Sequence, residues 1–288
     1  MMERKMNFRL STRLLMVLCL MGAGMIAASL MIELLPDMHM LAMLSLQDIL
    51  VFMAPAIAAM AIFYHRPLNV MCLDRAPRWK DLLLIAVMCV ISLPAMNWLV
   101  DVNESMTLPS WMSGIEQWMR ASEDNAADIT KQLLDIHSIA QLITCLLVVG
   151  FMAGLSEEIL FRGAMLRTMQ DSRLGTHAAV WLVAVIFSAI HLEFYGFVPR
   201  MLLGAWLGYL LVWTRSLWVP IIAHTLNNSI VVVFSYLEKN GVVPEHYGDH
   251  LGIPAQGAFP WLAMLSLIMS IVIVVCAHRR YYCKSSLH

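Results

Sequence analysis

The sequence predicts an all-α polytopic membrane protein with about eight transmembrane helices and both termini cytoplasmic. Three observations carry this expectation. The 288 residues are 60% hydrophobic and 14% charged, with a mean hydropathy of +0.72, against about 45–50% apolar and about 25% charged for soluble domains. The apolar residues gather in runs of roughly 20, the length at which a helix crosses the hydrocarbon. The segments between the runs alternate between basic and acidic, which orients the chain.

The first expected span runs from about Arg13 to Leu35. It is too long for the apolar core of a removed leader and is followed by no clear cleavage site. The second covers Leu41 to Tyr64 and the third Leu82 to Val100; Pro55 and Pro94 fall inside them and are expected to kink them. The fourth begins near Ser138 and carries on through Glu157 and Glu158. The fifth covers Ala178 to Tyr195, the sixth Val198 to Trp213, the seventh Leu217 to Leu237 and the eighth Phe259 to Ala277. Pro220 lies in the first turn of the seventh, where proline is tolerated.

Arg4, Lys5, Arg9 and Arg13 precede or open the first span. Arg66, Arg75, Arg78 and Lys80, then Arg162, Arg167 and Arg173, then Arg215, then Arg279, Arg280 and Lys284 each lie an even number of spans later. Glu33 and Asp37, the run from Asp101 to Asp135, Glu193, and Glu238, Glu245 and Asp249 lie between them. The positive-inside rule therefore puts both termini in the cytoplasm, which requires an even number of spans and agrees with eight.

One long connection, from Asp101 to His137, breaks the rhythm. Trp111, Ile115, Trp118 and Met119 fall at i, i+4, i+7 and i+8, one face of an amphipathic helix expected to lie flat in the outer interface. It reads either as a helical hairpin packed on the spans or as a substrate lid. The chain divides into N-terminal spans plus this connection (1–137), a polar-bearing core (138–237), and a last loop and span with a basic tail (238–288).

Composition also excludes. A formal net charge of −1 with no basic patch argues against a nucleic-acid partner. Six scattered cysteines without a Cys-x-x-Cys pair suggest neither a disulfide framework nor a thiolate zinc site.

Charge inside a span marks a candidate site, because it costs roughly 2.5–3.5 kcal/mol at the helix centre. Glu158 and Arg162 stand at i and i+4 with the acid first, the favoured order for a helical ion pair. Adjacent residues on a helix point about 100° apart, so Glu157 is left on another face without a local partner and is a candidate general base. The plain alternative is a pair of interfacial carboxylates. His191 shares a helix face with Phe187, and His224 shares one with Asn228. Each histidine alone reads as a hydrogen-bonded helix residue. Together, a carboxylate to take a proton from water and imidazole and amide groups to hold developing negative charge form a coherent catalytic set. The first three spans contribute almost no polar groups, Asp48 being the main exception.

Glu157-Glu158-x-x-x-Arg162 followed by Gly163, Phe187-x-x-x-His191 and His224-x-x-x-Asn228, in this order, resemble the three signature motifs of the CPBP family. These are the CAAX-protease and bacteriocin-processing (Abi) intramembrane endopeptidases, also called type II CAAX prenyl proteases. The resemblance covers about Ile139 to Val233 and implies an all-helical protein of a bacterial plasma (inner) membrane, with its site in a cavity open to the cytosol. It implies membrane-lipid surroundings and a substrate that is a prenylated CAAX protein or a peptide or bacteriocin precursor. By the resemblance, Glu157 activates water with help from His191, His224 and Asn228 form the oxyanion hole, and Glu158 and Arg162 support the site. A metal-dependent alternative would place zinc on Glu157, His191 and His224; the lack of a His-Glu-x-x-His motif favours chemistry with no cofactor. A proton-coupled transporter, for which no inverted repeat is seen, and a non-catalytic immunity or scaffold protein are the competing readings.

The expected depths conflict. Counted from the cytoplasmic ends at 1.5 Å per residue, His224 lies about 10 Å deep, while Glu157 and His191 lie about 20 Å deep. These groups meet only if spans tilt, start deeper or break, with Gly154, Gly163 and Gly196 as the expected points of adjustment. Gly204 and Gly208 form a Gly-x-x-x-Gly expected to serve close helix packing.

Overall fold

The computed structural model describes residues 4–6, 8–244, 248, 250–254 and 258–285. Glu245 and Asp249, counted above among the acidic residues, lie outside the described residues. The fold is all-α and multi-pass. Its helices are α1 (Leu10–Leu34), α2 (Met40–Phe63), α3 (Trp79–Glu104), α4 (Ser113–Leu133), α5 (Ile139–Gln170), α6 (Thr176–Ala189), α7 (Phe197–Thr214), α8 (Trp218–Lys239) and α9 (Trp261–Ser285). Among the described residues, all of these except α4 and α6 are long and apolar enough to cross a membrane, seven helices in all. Exposed Leu15, Ile26, Val90, Ile268 and Val272 show why composition alone revealed them: the outer faces are apolar because their solvent is lipid.

The fifth expected span is the main correction. It was expected to reach Tyr195, but α6 has only 14 residues and stops at Ala189. That is about 21 Å of helix, short of the roughly 30 Å hydrocarbon thickness. His191 therefore stands in a loop just past the helix end. Leu192 adopts a left-handed conformation (φ 56°) as the chain turns back toward α7.

Irregular backbone at membrane depth survives only where protein satisfies its polar groups, and α3 and α4 do so for this loop. Asn103 Nδ2 donates to the carbonyls of Phe194, at 3.1 Å, and Tyr195. Ser122 Oγ donates to Leu192 O at 3.0 Å, and the Tyr195 N–H donates to Glu123 Oε2 at 3.3 Å. Trp118 packs on Phe194, ring centroids 5.0 Å apart. The long connection, expected as a helical hairpin packed on the spans or a substrate lid, forms one helix with no fully buried residue, in contact with the loop that carries His191. Trp111 precedes α4, in a short turn (Ser110–Met112), and stays 80% exposed.

The prolines are accommodated without a break in either helix. In α2 a wide π-helical turn, Asp48–Met53, precedes Pro55, which falls in the first turn of the following α-helical stretch. In α3 the backbone groups around Pro94 are served by α9: Ser266 Oγ donates to Ile91 O and accepts from Ala95 N at 3.1 Å.

Asp171, just past α5, ties three helices together. It accepts from Arg4, from Arg13 at 3.0 Å and from the Tyr64 hydroxyl at 3.0 Å, and Arg13 itself is buried. Burial pushes the Asp171 carboxyl up, but hydrogen bonds from Arg4 and Tyr64 and the arginine charges outweigh it and hold the group below the usual carboxylate range. A depressed acid stabilises the fold above its unfolded value, near 3.9, and loses that contribution as pH falls through its folded value. Asp171→Asn is expected to cost about 2–3 kcal/mol at neutral pH, because Arg13 is left buried without its anion. The gap to wild type should close in acid. Thermal unfolding in detergent at several pH values checks this; an equal loss at all pH values would refute the ionic account.

Candidate active site

The site is built where α5, α6 and α8 meet. Gly150 and Gly154 lie on the face of α5 that carries Glu158, four residues apart along the helix. A Cβ at Gly150 would come within 2.7 Å of Ser229 Oγ, and one at Gly154 within 3.1 Å of the Thr225 backbone N. The bare face lets α5 and α8 approach closely, which brings the carboxylates to His224. Gly154 therefore works by closeness, where a tilt, a deeper start or a break was expected.

The depth conflict is resolved at Gly163. A Cβ there would lie 3.1 Å from Leu217 Cδ2, so α8 begins level with Gly163, well inside the end of α5. Leu217 is fully buried, and its N–H donates to Cys72 O at 2.9 Å. Gly163 and the residues back to Ile159 belong to a π-helical stretch, Ile159–Leu166, that opens directly after Glu158, while from Leu217 to His224 is seven residues, about 10.5 Å. Glu158 and His224 thus reach the same level, 2.9 Å apart, with α5 widened into a π-helical stretch rather than broken.

Glu158, Arg162 and His224 are all buried. Glu158 Oε1 accepts from Arg162 Nη1 at 2.6 Å and from His224 Nδ1 at 2.9 Å. A carboxylate flanked by a guanidinium accepts, so the Nδ1 proton of His224 is placed there and its Nε2 points away. That Nε2 faces Glu157 Oε2 at 3.9 Å. Glu157 Oε2 is buried and accepts no hydrogen bond from the described residues. The two glutamates are thus placed differently: Glu158 holds Nδ1 of the imidazole by a hydrogen bond, and Glu157 faces its Nε2 at 3.9 Å. The ion pair expected between Glu158 and Arg162 is present, and Glu158 in addition touches His224 directly. Arg162 Nη2 also donates to Gly204 O at 2.9 Å, tying α7 to the pair.

Phe187 joins the three motifs. Its ring lies 5.1 Å from that of His191 and 5.9 Å from that of His224, and the Arg162 guanidinium sits 4.5 Å from its centroid. Gly204 holds the ring in place: a Cβ there would be 3.1 Å from Phe187 Cδ1. Gly208 meets Val180 in the same way, so this Gly-x-x-x-Gly serves packing of α7 on α6, as expected. His191 Nδ1 donates to Phe187 O at 2.7 Å, which leaves its Nε2 unspent, and the ring is close enough to His224 and Arg162 to interact through charge.

Asn228 lies one turn beyond His224. One amide N–H donates to Val149 O at 3.1 Å, and the second has no acceptor among the described residues. A third carboxylate, Asp48 of α2, is buried within hydrogen-bonding reach of Ser156 and close enough to Glu157 and His224 to interact through charge. The signal for Asp48 was its position inside a span; its neighbours lie on other helices and could not be read from spacing.

Zinc would need three ligands closing on one point. Among the described residues, no group of three or more His, Cys, Asp or Glu side chains is placed to hold a metal ion. His224 and His191 have each committed Nδ1 to a protein acceptor.

Comparison with known proteins finds similarity over the helices that build this site. Residues 139–230 match the family described as type II CAAX prenyl endopeptidase Rce1-like, about a third of the chain. The chain is 27% identical to the uncharacterized protein YpbD of Bacillus subtilis over 120 residues, 40% of this chain and 57% of that one. It is 29% identical to the membrane-embedded CAAX protease MroQ of Staphylococcus aureus over 116 residues, 37% of this chain and 47% of that one. The chain thus spans about half the length of the curated relatives it matches. No solved structure matches.

Proposed function

We propose, from a site embedded in a CAAX-endopeptidase-like segment, that this protein is an intramembrane endopeptidase using glutamate-activated water. One observation carries the reading: His224 is held between two carboxylates, 2.9 Å from the arginine-paired Glu158 and 3.9 Å from Glu157, whose Oε2 accepts no hydrogen bond from the described residues. Glu157 takes a proton from water, and the water oxygen attacks the peptide carbonyl carbon. Negative charge develops on the carbonyl oxygen, where the proposed donors are the second Asn228 N–H and His224 Nε2, the imidazole being protonated on both nitrogens between the two carboxylates. His191, through Nε2, assists in positioning the water. Collapse of the intermediate breaks the C–N bond, and the proton held by Glu157 passes to the leaving amine. Glu158 and Arg162 act through His224.

The apolar outer faces fit substrates that arrive from lipid: prenylated CAAX-type proteins, or peptide or bacteriocin precursors, in a bacterial plasma membrane. Both termini are proposed to be cytoplasmic, with the basic end of the bundle inside.

The purified full chain, reconstituted and incubated with membranes that lack it, is expected to produce new peptide ends detectable by mass spectrometry. This activity should persist in the presence of a chelator. No new ends would refute the peptidase reading. Loss of activity on chelation and recovery with zinc would replace water activation by Glu157 alone with a metal mechanism.

A further inference from the structure

A second polar feature lies apart from the catalytic groups, at the basic end of the bundle. A cavity of about 330 Å³ is lined by Arg75, Arg167 and Arg215 together with Asn69, Gln170 and Thr176. The three arginines come from three separate connections: the segment between α2 and α3, the last turn of α5, and the link from α7 to α8. No carboxylate lines the cavity, and none of the three arginines is ion-paired among the described residues. Three guanidinium groups around one small space repel one another, and in the absence of an acidic side chain an external anion relieves that repulsion.

Arg167 and the backbone of the other walls are held in place, while the Arg75 and Arg215 side chains are exposed. Arg167 donates from Nε to Val70 O at 2.7 Å and from Nη1 to Gln170 Oε1 at 2.9 Å, which sets its plane and leaves Nη2 unspent. The Arg75 segment is clasped to the start of α8 by three bonds: Ser216 Oγ to Arg75 O, Leu217 N to Cys72 O at 2.9 Å, and Trp218 Nε1 to Leu73 O at 3.0 Å. Arg215 is the residue that ends α7, in a left-handed conformation (φ 55°). Thr176 opens α6, whose N-cap, Gly175, supplies no side-chain cap, so the positive end of the helix dipole adds to the arginine charge.

We propose that this pocket binds a phosphate group. Planar guanidinium groups match phosphate oxygens bidentately, and amide and hydroxyl donors complete the lining. The position at the ends of α2, α5, α6, α7 and α8 allows two sources: the phosphodiester of an anionic phospholipid headgroup, or a free phosphate ion.

The test uses the full chain in phosphatidylcholine nanodiscs, with thermal unfolding followed by tryptophan fluorescence. Short-chain phosphatidylglycerol, phosphatidylcholine and inorganic phosphate are titrated separately. A saturable rise in the unfolding midpoint with phosphatidylglycerol alone identifies a lipid headgroup. A rise with inorganic phosphate as well identifies the free ion as a sufficient ligand. In Arg75→Gln/Arg215→Gln the half-saturating concentration is expected to increase by about tenfold or more. Arg66→Gln/Arg173→Gln removes the same charge from exposed positions outside the lining and should leave the response unchanged. If the double pocket variant fails to fold, Arg215→Asn replaces it, since asparagine tolerates left-handed backbone. The proposal is overturned if neither phosphate source shifts the midpoint, if phosphatidylcholine acts equally, or if the control variant weakens the response as much as the pocket variant.

Discussion

Glu157→Gln reduces peptide-bond hydrolysis by about 10²–10⁴-fold or to the detection limit, while the thermal midpoint of the purified protein stays at or above that of wild type. The size is that of a general base removed from the transition state. The intact fold follows from the geometry. Glu157 Oε2 accepts no hydrogen bond from the described residues, so a carboxamide of the same shape forfeits no hydrogen bond there; it gives up the 3.9 Å charge contact with His224 and removes a buried charge. His224 keeps its bond to Glu158, so the imidazole stays in place. Cleavage of a reconstituted substrate, compared with an unfolding scan of the same preparation, measures both halves. Full activity in Glu157→Gln would end the water-activation assignment. Lost activity together with a lowered midpoint would show that Glu157 carries structure.

Arg162→Ala is the second large effect, and here the loss is first of stability, about 3–5 kcal/mol. Removing the guanidinium leaves Glu158 fully buried without its cation and Gly204 O without its donor. Phe187 also loses the charge lying 4.5 Å from its ring centroid. A double replacement separates packing from positioning. Glu158→Leu/Arg162→Met takes both charges out of the interior and should recover most of the lost stability, since apolar residues of similar volume often replace a buried ion pair without cost. Activity should not return, because His224 Nδ1 has lost the acceptor that sets its orientation and tautomer. Recovery of both stability and activity would show that Glu158 is only a packing element. Failure to recover stability would show that the pair is needed for more than mutual neutralisation.

The signature residues were legible because each motif is local. Glu158 with Arg162 and His224 with Asn228 are each four residues apart within a helix, and helix geometry is enough to put each pair on one face; Phe187 and His191 have the same spacing, although His191 lies just past the end of α6. It was not enough to say that Glu158 would serve His224 as well as Arg162, since the histidine is 66 residues away along the chain. Phe187 was visible only as a companion of His191. In the folded chain it touches all three motifs, because the Gly204 face of α7 presses its ring toward Arg162 and His224. The fifth span was overextended by six residues because 190–195 is still fairly apolar. The backbone leaves the helix there because Asn103, Ser122 and Glu123, from connections the sequence could not place, satisfy its polar groups.

By itself the sequence determined the solvent, the class and the candidate chemistry of this protein. Long apolar runs must become helices in lipid, where no other backbone arrangement satisfies itself, and isolated polar groups in such runs stand out by their cost. Only the tertiary structure decided which groups meet. Depth along a helix depends on where the helix starts, and α8 starts level with Gly163 because two helices can approach there at a residue without a side chain. Lateral distance depends on the same device at Gly150 and Gly154. Periodicity places a side chain on a face; small residues on neighbouring helices then decide how near that face comes to another, and so which of two adjacent glutamates is held and which is left free.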